Sequence, residues 1–304
     1  MKPEEVQLVV VGSVGLDTVE TPHERRAELL GGSVSYACAA ASFFAPVGLV
    51  GVVGEDFPAA HEAVYRHFGV DMRGLQRRPG RTFRWSGVYA ADMNTRRTLS
   101  TELNVFADFQ PDLPEAYREA PFLFLANIAP ELQLRVLAQA RAPRFVAADT
   151  MDLWIATARP CLMQVLAAAD LVTLNEFEVR LLTGEANLVR AARAVLGWGP
   201  RYVIIKKGEH GAMLFAAGSI TVLPAYPLEA FRDPTGAGDS FAGGLMGVLA
   251  AEGCVTPDAV KRAMAYGTVV ASFVVEDFSL ERLKTLNRDE IEDRLAGFRA
   301  VMAL

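Results

Sequence analysis

Short apolar runs rich in β-branched residues alternate along this chain with segments whose apolar residues recur at helical spacing. The runs predict buried strands at Val6–Val11, Val47–Val53, Phe122–Ala126, Phe145–Ala148, Leu171–Leu174 and Tyr202–Lys206. Helical spacing predicts helices at Glu131–Arg141, Leu153–Ala167, Asn187–Leu196, Asp239–Ala251 and Asp258–Phe273, and then a last helix with the apolar stripe Ile291, Leu295, Phe298 and Met302. Such alternation predicts an α/β fold, with a mostly parallel sheet covered by helices on both faces.

One uncharged run, between Leu29 and Gly54, is long enough to cross a bilayer. Glycines, serines and the central Pro46 interrupt it, and it ends in a stretch of valine and glycine. These breaks favour a buried helix followed by a buried strand over a membrane span. We therefore expect no membrane contact.

Two segments interrupt the alternation of strands and helices. Gly15–Leu30 is short and polar, and Arg81–Phe106 predicts a β-hairpin that turns near Asp92–Asn94. We expect these two segments to form a small sheet that stands off the main one. A second hairpin is predicted where Ala212–Phe215 meets Ile220–Leu223.

Aromatic and basic side chains mark the predicted Arg81–Phe106 hairpin. The aromatic stripe consists of Phe83, Trp85 and Tyr89. Such a stripe is more often core or subunit interface than a ligand platform. The arginines of the hairpin are expected on a solvent-exposed strand face; they are Arg84, Arg96 and Arg97.

Composition narrows the function classes. The chain has 304 residues and a net charge of −6, which argues against nucleic acid because a phosphate backbone needs a basic face. Its 3 cysteines are widely spaced with no CxxC pair, which excludes a disulfide scaffold or a cysteine-rich zinc site. The N-terminus lacks a signal-peptide pattern, so we expect a cytoplasmic protein.

The strongest chemical signal is the stretch from Asp233 to Gly244, which leads into an apolar helix. Its glycines can expose consecutive main-chain N–H groups, and a helix beginning near Gly238 adds the positive end of its dipole. Such a loop attracts phosphate oxygens. The negative charge of Asp239 beside it makes sense if this carboxylate accepts the proton of a hydroxyl that attacks the phosphate. The spacing fits neither a Walker A loop nor a dinucleotide-binding fingerprint.

Three weaker motifs follow predicted strands. Asn175 is suited to contact phosphate and Glu178 to hold magnesium, but the spacing of the two residues equally fits a capping box at the start of a helix. The segment Lys206–Gly211 can place a lysine beside a nucleotide and let the backbone approach it closely, or it can form a solvated turn. Asp17 follows the first predicted strand, and the segment 31–33 precedes the next helix. Asp17 can bind substrate hydroxyls there, or it can be a turn residue.

In this order, and along nearly the whole chain, these motifs resemble the ribokinase-like carbohydrate kinase family, also called PfkB. The resemblance implies one domain over residues 1–304, folded as a three-layer α/β/α sandwich with a small β-sheet lid from about residues 13–30 and 81–107. It implies transfer of the γ-phosphate of ATP to a primary hydroxyl of a sugar or sugar-like molecule, with Mg²⁺ and in some members K⁺. A homodimer through the lid is expected on the same ground.

The resemblance also assigns roles to single residues. Asp239 would be the catalytic base, and the anion hole would be formed by Gly236, Ala237 and Gly238. The nucleotide and its magnesium would be held by Asn175, Glu178 (through water to Mg²⁺), Lys206, Gly208, Gly211 and Thr235. A monovalent cation would lie at Asp233, and the acceptor would be bound by Asp17, Gly32, Ser33 and Tyr36.

Two substrate-side positions depart from the ribokinase pattern. Gly15 and Tyr36 stand at positions where ribokinases usually carry an asparagine. Two polar contacts to a ribose-like acceptor are therefore missing, and the aromatic residue suits a nucleoside base. A nucleoside kinase of the adenosine or cytidine type is thus the alternative, whereas an inactive nucleotide-binding module is disfavoured because Asp239 and the loop glycines are intact.

Overall fold

A computed structural model of the chain describes residues 5–229 and 231–302. Its strands are β1 (Leu8–Val11), β2 (Gly15–Glu20), β3 (Arg25–Gly31), β4 (Val47–Gly54), β5 (Asp71–Arg78), β6 (Phe83–Tyr89), β7 (Arg96–Glu102), β8 (Phe122–Leu125), β9 (Phe145–Asp149), β10 (Leu171–Asn175), β11 (Tyr202–Lys206), β12 (Ala212–Ala216) and β13 (Ser219–Leu223). Its α-helices are α1 (Ser33–Ser42), α2 (Ala59–His67), α3 (Glu115–Arg118), α4 (Pro130–Leu137), α5 (Asp152–Thr157), α6 (Arg159–Ala168), α7 (Glu176–Thr183), α8 (Leu188–Leu196), α9 (Ala237–Glu252), α10 (Pro257–Val274), α11 (Glu281–Thr285) and α12 (Arg288–Met302).

The large sheet has the strand order β13-β12-β11-β10-β9-β8-β1-β4-β5. Neighbours run parallel from β5 to β11, and β12 and β13 add the predicted antiparallel hairpin. All six predicted buried strands are therefore confirmed within one sheet. The carboxyl ends of its parallel strands meet at one edge, which is where ligands bind in open α/β sheets.

Helices cover both faces of this sheet, as predicted. One apolar cluster joins one face to α1, α9, α10 and α12, and a second cluster joins the other face to α4, α6, α7 and α8. The run from Leu29 to Gly54 supplies α1 and β4, which confirms the buried helix and strand predicted there. Over the residues that the structure describes, no helix combines the length and apolar content that crossing a bilayer requires.

Two central helices, α1 and α9, approach each other unusually closely. A Cβ at Gly247 would lie 2.7 Å from the Ala41 carbonyl oxygen, and one at Gly243 would collide with the backbone of Ala37. Only glycine permits such an approach of two helix backbones. The packing continues to the start of both helices, so Gly236 before α9 lies against the ring of Tyr36 in α1.

A second sheet has the order β3-β2-β6-β7 and is built from the two segments predicted to leave the main fold. Its outer pairs are antiparallel, whereas β2 and β6 run parallel. The Ala90 N–H donates to the Thr95 carbonyl at 2.9 Å, which confirms the hairpin turn near Asp92–Asn94. In the aromatic stripe, Phe83 packs on Phe106 with ring centroids 5.4 Å apart.

Two sequence predictions need correction, and one strand was not predicted. The single helix over Leu153–Ala167 is wrong, because α5 and α6 are separate and Pro160 stands in the first turn of α6. Proline starts a helix readily but cannot continue one, since it lacks the N–H group. The helix predicted to reach Arg141 already ends at Leu137. Strand β5 was not predicted because it is a polar edge strand without an apolar run.

Candidate active site

A tight turn and the start of α9 lie at the carboxyl edge of the large sheet. Gly236 has a φ of 77°, and a Cβ there would collide with the Tyr36 ring. The Ala237 N–H donates to the Pro234 carbonyl at 3.2 Å. The next N–H groups, of Gly238 and Asp239, have no acceptor within the helix, because first-turn amides never do. They form, with the positive helix dipole, a site for an anion.

Asp239 lies in the first turn of α9, beside these amides. Burial raises its pKa to about 7, and the carboxylate of Asp149 acts in the same direction. Lys206 and Arg96 lower the pKa but do not cancel this effect. A carboxylate with a pKa near neutrality is a suitable proton acceptor at physiological pH.

Asp17 on β2 provides a second buried carboxylate. It is 5% exposed, and burial, Asp233 and Asp239 together raise its pKa to about 7. Its carboxylate fills the space where a Cβ of Gly31 would be, which explains the first glycine of the pair. The second glycine, Gly32, has a φ of 90° that suits only glycine.

Ser33 lies next to this glycine pair and fixes the connection between β1 and α1. Its N–H donates to Ser13 Oγ at 3.1 Å, and its own Oγ accepts the Ser13 N–H at 3.2 Å. Ser33 Oγ also lies 3.2 Å from the Asn127 carbonyl. The structure therefore brings Ser33 to the site with its side chain already engaged.

Tyr36 and Tyr89 close the site around the turn before α9. The hydroxyl of Tyr89 lies 3.1 Å from Thr235 Oγ1, so the small sheet contacts the glycine-rich segment directly. Tyr36 is 2% exposed, and burial followed by the charges of Asp233 and Asp17 raises its pKa well above the usual value. The Tyr36 ring itself packs on Gly236.

A buried ion pair that the sequence did not reveal lies beside Gly238. Lys206 Nζ is 2.9 Å from Asp149 Oδ2. Burial lowers the pKa of Lys206, but Asp149 and Glu178 more than offset this effect and raise it. Asp149 directly follows the predicted strand Phe145–Ala148, so its place at the carboxyl end of a parallel strand was a usable signal.

Asn175 and Glu178 form the capping box that their spacing allowed. Asn175 Oδ1 accepts the Glu178 N–H at 2.8 Å, and Glu178 Oε2 accepts the Asn175 N–H at 2.7 Å. Burial raises the pKa of Glu178 to about 7, Lys206 lowers it, and Asp149 raises it again. The cap thus holds a buried carboxylate close to the Lys206 ammonium group.

Gly208 and Gly211 bound a short 3₁₀ turn after β11. Both have positive φ, of 54° and 86°, and a Cβ at Gly211 would collide with the Leu223 carbonyl. The tip of the β6–β7 hairpin reaches this turn, where Asn94 Nδ2 donates to Glu209 Oε1 at 3.0 Å. The small sheet therefore touches both sides of the site.

Asp233 is completely buried at 0% exposure. Its Oδ1 accepts the Thr235 N–H at 2.8 Å, whereas Oδ2 has no hydrogen-bond partner among residues 5–229 and 231–302. Burial raises its pKa. A buried carboxylate oxygen without a donor is costly unless a cation lies beside it.

The sequence placed Arg84, Arg96 and Arg97 on a solvent-exposed strand face, and Arg96 and Arg97 are exposed, whereas Arg84 is not. Arg96 pairs across the strands with Tyr89, so both side chains stand on one face of the sheet. Its guanidinium lies 5.3 Å from the Trp85 ring centroid and lowers the pKa of Asp17 and Asp239. Arg84 instead bonds to Asp56 at 3.1 Å.

The chemistry of this arrangement is specific. The buried carboxylate of Asp239, whose pKa is raised to about 7, adjoins first-turn amides and a lysine, and a second buried carboxylate, Asp17, interacts with it electrostatically. These groups suit the transfer of a phosphoryl group to a hydroxyl. The fold and the site together define a phosphotransferase with an alcohol group as acceptor.

Comparison with known proteins agrees with this class. The model of the pfkB family carbohydrate kinases matches residues 7–283. A cytidine kinase from Thermococcus kodakarensis is 34% identical over 248 residues, which cover 79% of this chain and 87% of that protein. This chain belongs to the pfkB family of carbohydrate kinases.

Solved structures show the same fold. The ribokinase from Giardia lamblia superimposes with a TM-score of 0.82 at 18% identity, over 97% of this chain and 100% of that one. A putative ribokinase II from E. coli, in complex with ATP and Mg²⁺, gives a TM-score of 0.79 at 20% identity, over 96% and 99% of the two chains. The three-layer ribokinase fold predicted from the sequence is confirmed.

Proposed function

We propose that this kinase transfers the γ-phosphate of ATP to a primary hydroxyl of a sugar or a nucleoside, and that the residues described above perform the transfer. The observation that carries the proposal is the position of Asp239 in the first turn of α9, beside amides that have no acceptor within the helix and close enough to Asp17 to raise the pKa of that carboxyl group. The ATP complex of the E. coli structural neighbour supports the choice of phosphoryl donor.

In the proposed step, the acceptor hydroxyl loses its proton to the Asp239 carboxylate as its oxygen attacks the γ-phosphorus. The new O–P bond forms while the bond to the leaving ADP breaks, and charge on the phosphoryl oxygens meets the main-chain amides of Gly236–Gly238. Since the Ala237 N–H is already engaged, the Gly238 amide carries most of this contact. Asp17, Gly32, Ser33 and Tyr36 border the acceptor side.

The donor side combines the glycine turn and the lysine. Gly208 and Gly211 leave close backbone access for a nucleotide, and Lys206 offsets phosphate charge. Asn175 pairs with Lys206 across the sheet, and Thr235 is assigned to the donor side because it precedes Gly236 in the turn. Glu178 fits a magnesium site, because it is a buried carboxylate that still has an oxygen free of the cap contact. When bound there through water, Mg²⁺ would offset the charge of the phosphates.

The small sheet is proposed to act as a lid over the acceptor, since Tyr89 and Asn94 connect it to both sides of the site. Its edge strand β7 is exposed along its length, with Leu99 at 47% exposure, and we place a homodimer contact there. Light scattering tests this contact, and a monomer at all concentrations would contradict it. The free cysteines agree with the cytoplasmic location that we infer.

Two acceptor classes remain, and one observation favours each. The family model describes carbohydrate kinases, whereas the Thermococcus relative is a cytidine kinase. Formation of ADP, measured with a panel of sugars, phosphosugars and nucleosides, separates them by kcat/KM. Absence of ADP formation with every acceptor would contradict the proposed function.

The activity should depend on pH in a defined direction. The Asp239 carboxylate must be ionised to accept a proton, and its pKa is raised to about 7. We therefore expect kcat/KM, which reports the free enzyme, to fall as pH decreases through about 7. The pKa of Asp17 is also raised to about 7, so this acid limb of the kcat/KM profile reflects the ionisation of both Asp239 and Asp17. A profile that stays flat through this range would contradict the assignment.

A monovalent cation such as K⁺ is proposed at Asp233, because its Oδ2 is buried and lacks a donor among the described residues. A cation that binds only the folded protein stabilises it. We expect KCl to raise Tm and kcat relative to tetramethylammonium chloride at equal ionic strength, and Asp233→Asn to remove both effects. Equal responses of the two proteins to KCl would contradict the proposal.

A further inference from the structure

The ion pair between Asp149 and Lys206 spans three strands. Asp149 ends β9 and Lys206 ends β11, and β10 lies between them in the sheet. The side chains meet above the end of β10 at 2.9 Å, with Asp149 only 4% exposed. Lys206 Nζ then lies 3.3 Å from the point where a Cβ of Gly238 would be. The pair is therefore a neighbour of the phosphate-binding turn.

Asp149 is fixed on every side. Its Oδ1 accepts the Thr150 N–H at 2.9 Å, and its main-chain carbonyl accepts Gln133 Nε2 at 3.0 Å. The same Gln133 amide bonds the carbonyls of Leu125 and Ala126, so it ties the ends of β8 and β9 together. A carboxylate held in this way fixes the position of the ammonium group that it binds.

Stability alone does not explain this pair. Removing two charges from water costs several kcal/mol per ion, and their attraction often fails to offset that cost. An ammonium group has three donors, and the described residues use one of them, for Asp149. The other two donors can bind oxygens of a phosphate.

We propose that Asp149 is a positioning residue that holds Lys206 Nζ beside the Gly236–Gly238 turn, so that Lys206 contacts the transferring phosphoryl group. This inference rests on the proposed function. As the acceptor oxygen bonds to phosphorus and the bond to the leaving ADP breaks, the acceptor proton goes to Asp239. Lys206 stays protonated throughout and offsets the charge on the phosphoryl oxygens.

The test compares Asp149→Asn, Lys206→Met and the double variant with a matched control, Asp170→Asn. Asp170 also binds one main-chain N–H, of Val146 at 2.9 Å, and one basic side chain, Arg201 at 3.0 Å. It lies before β10, at the opposite edge of the same sheet. The control pair is more exposed, with side-chain exposures of 27% for Asp170 and 52% for Arg201, so it reports what loss of a less buried pair costs the fold.

We expect Asp149→Asn and Lys206→Met each to lower kcat by about 10²–10³-fold, the cost of one donor to a developing oxyanion. Measured at a pH above the acid limb, the double variant should be no slower than Lys206→Met, because Asp149 acts on the phosphoryl group only through Lys206. It removes both charges of the pair, so neither Asp149 nor Lys206 is left without its partner, and the test stays open if a single variant fails to fold. A kcat of Asp149→Asn or of the double variant within a few-fold of the control would overturn the proposal.

A pH profile provides a readout that a structural role would not change. Asp239 is faced by Asp149 on β9, Lys206 on β11, Arg96 on β7 and Asp17 on β2. Asp149→Asn should move the acid limb of kcat/KM to lower pH, and Lys206→Met should move it to higher pH. Unmoved limbs would overturn the inference while leaving the function intact, whereas a wild type without ADP formation would reject the function itself.

Discussion

Replacing Asp239 with asparagine should lower kcat by roughly 10²–10⁴-fold, the usual contribution of a general base. The amide keeps the shape of the carboxylate but cannot accept the proton of the acceptor hydroxyl. Nucleotide affinity should stay within a few-fold of wild type, because the main-chain amides and Lys206 are unchanged. Steady-state ADP formation measures kcat, and calorimetry with a non-hydrolysable ATP analogue measures the affinity.

The matched control for this experiment is Asp258→Asn. Asp258 also lies in the first turn of a long helix, α10, so it interacts with a helix dipole in the same way. It lies away from the residues assigned to the site, and its loss should leave kcat unchanged. If Asp239→Asn keeps the kcat of this control, Asp239 is not the base, whatever the fold.

The central fold was predictable because its signals are local. Each buried parallel strand is a short apolar run, and each run was identified within a few residues of its end. The edge strand β5 carries no such run, since one of its sides lacks a neighbouring strand. The break before Arg159 was marked by Pro160, a signal that the helical spacing of the apolar residues obscured.

The site was predictable only in part. The glycine-rich segment could be recognised because its glycines, its carboxylates and the start of an apolar helix all lie within the twelve residues from Asp233 to Gly244. Asp149 could not be recognised in this way, because its partner Lys206 is 57 positions away in the sequence and the two side chains meet across a third strand, β10. Alternation along β7 shows which residues share a face with Arg96, but not which face meets Asp17 and Asp239.

Gly236→Ala should also have a large effect on activity. A non-glycine residue at its φ of 77° costs roughly 1–2 kcal/mol. The new Cβ also collides with the Tyr36 ring, which is buried and has little room to move. The turn must therefore shift, and with it the Gly238 amide that we propose contacts the phosphoryl group. We expect kcat to fall about 10²–10³-fold, the range for loss of one oxyanion donor.

Gly184→Ala is the control that separates the effect of backbone strain from the effect of displacing the Gly236 turn. Gly184 ends α7 with a φ of 73°, and a Cβ there meets no atom within 4 Å. This variant should lose stability through backbone strain alone and keep its kcat. Tyr36→Ala removes the collision partner but is itself destabilising, because Tyr36 is buried. In the Tyr36→Ala background, Gly236→Ala should therefore cost less free energy of unfolding than it costs in the wild type. If Gly236→Ala is destabilised no more than Gly184→Ala and retains kcat, the amides of this turn do not bind the transferring phosphoryl group.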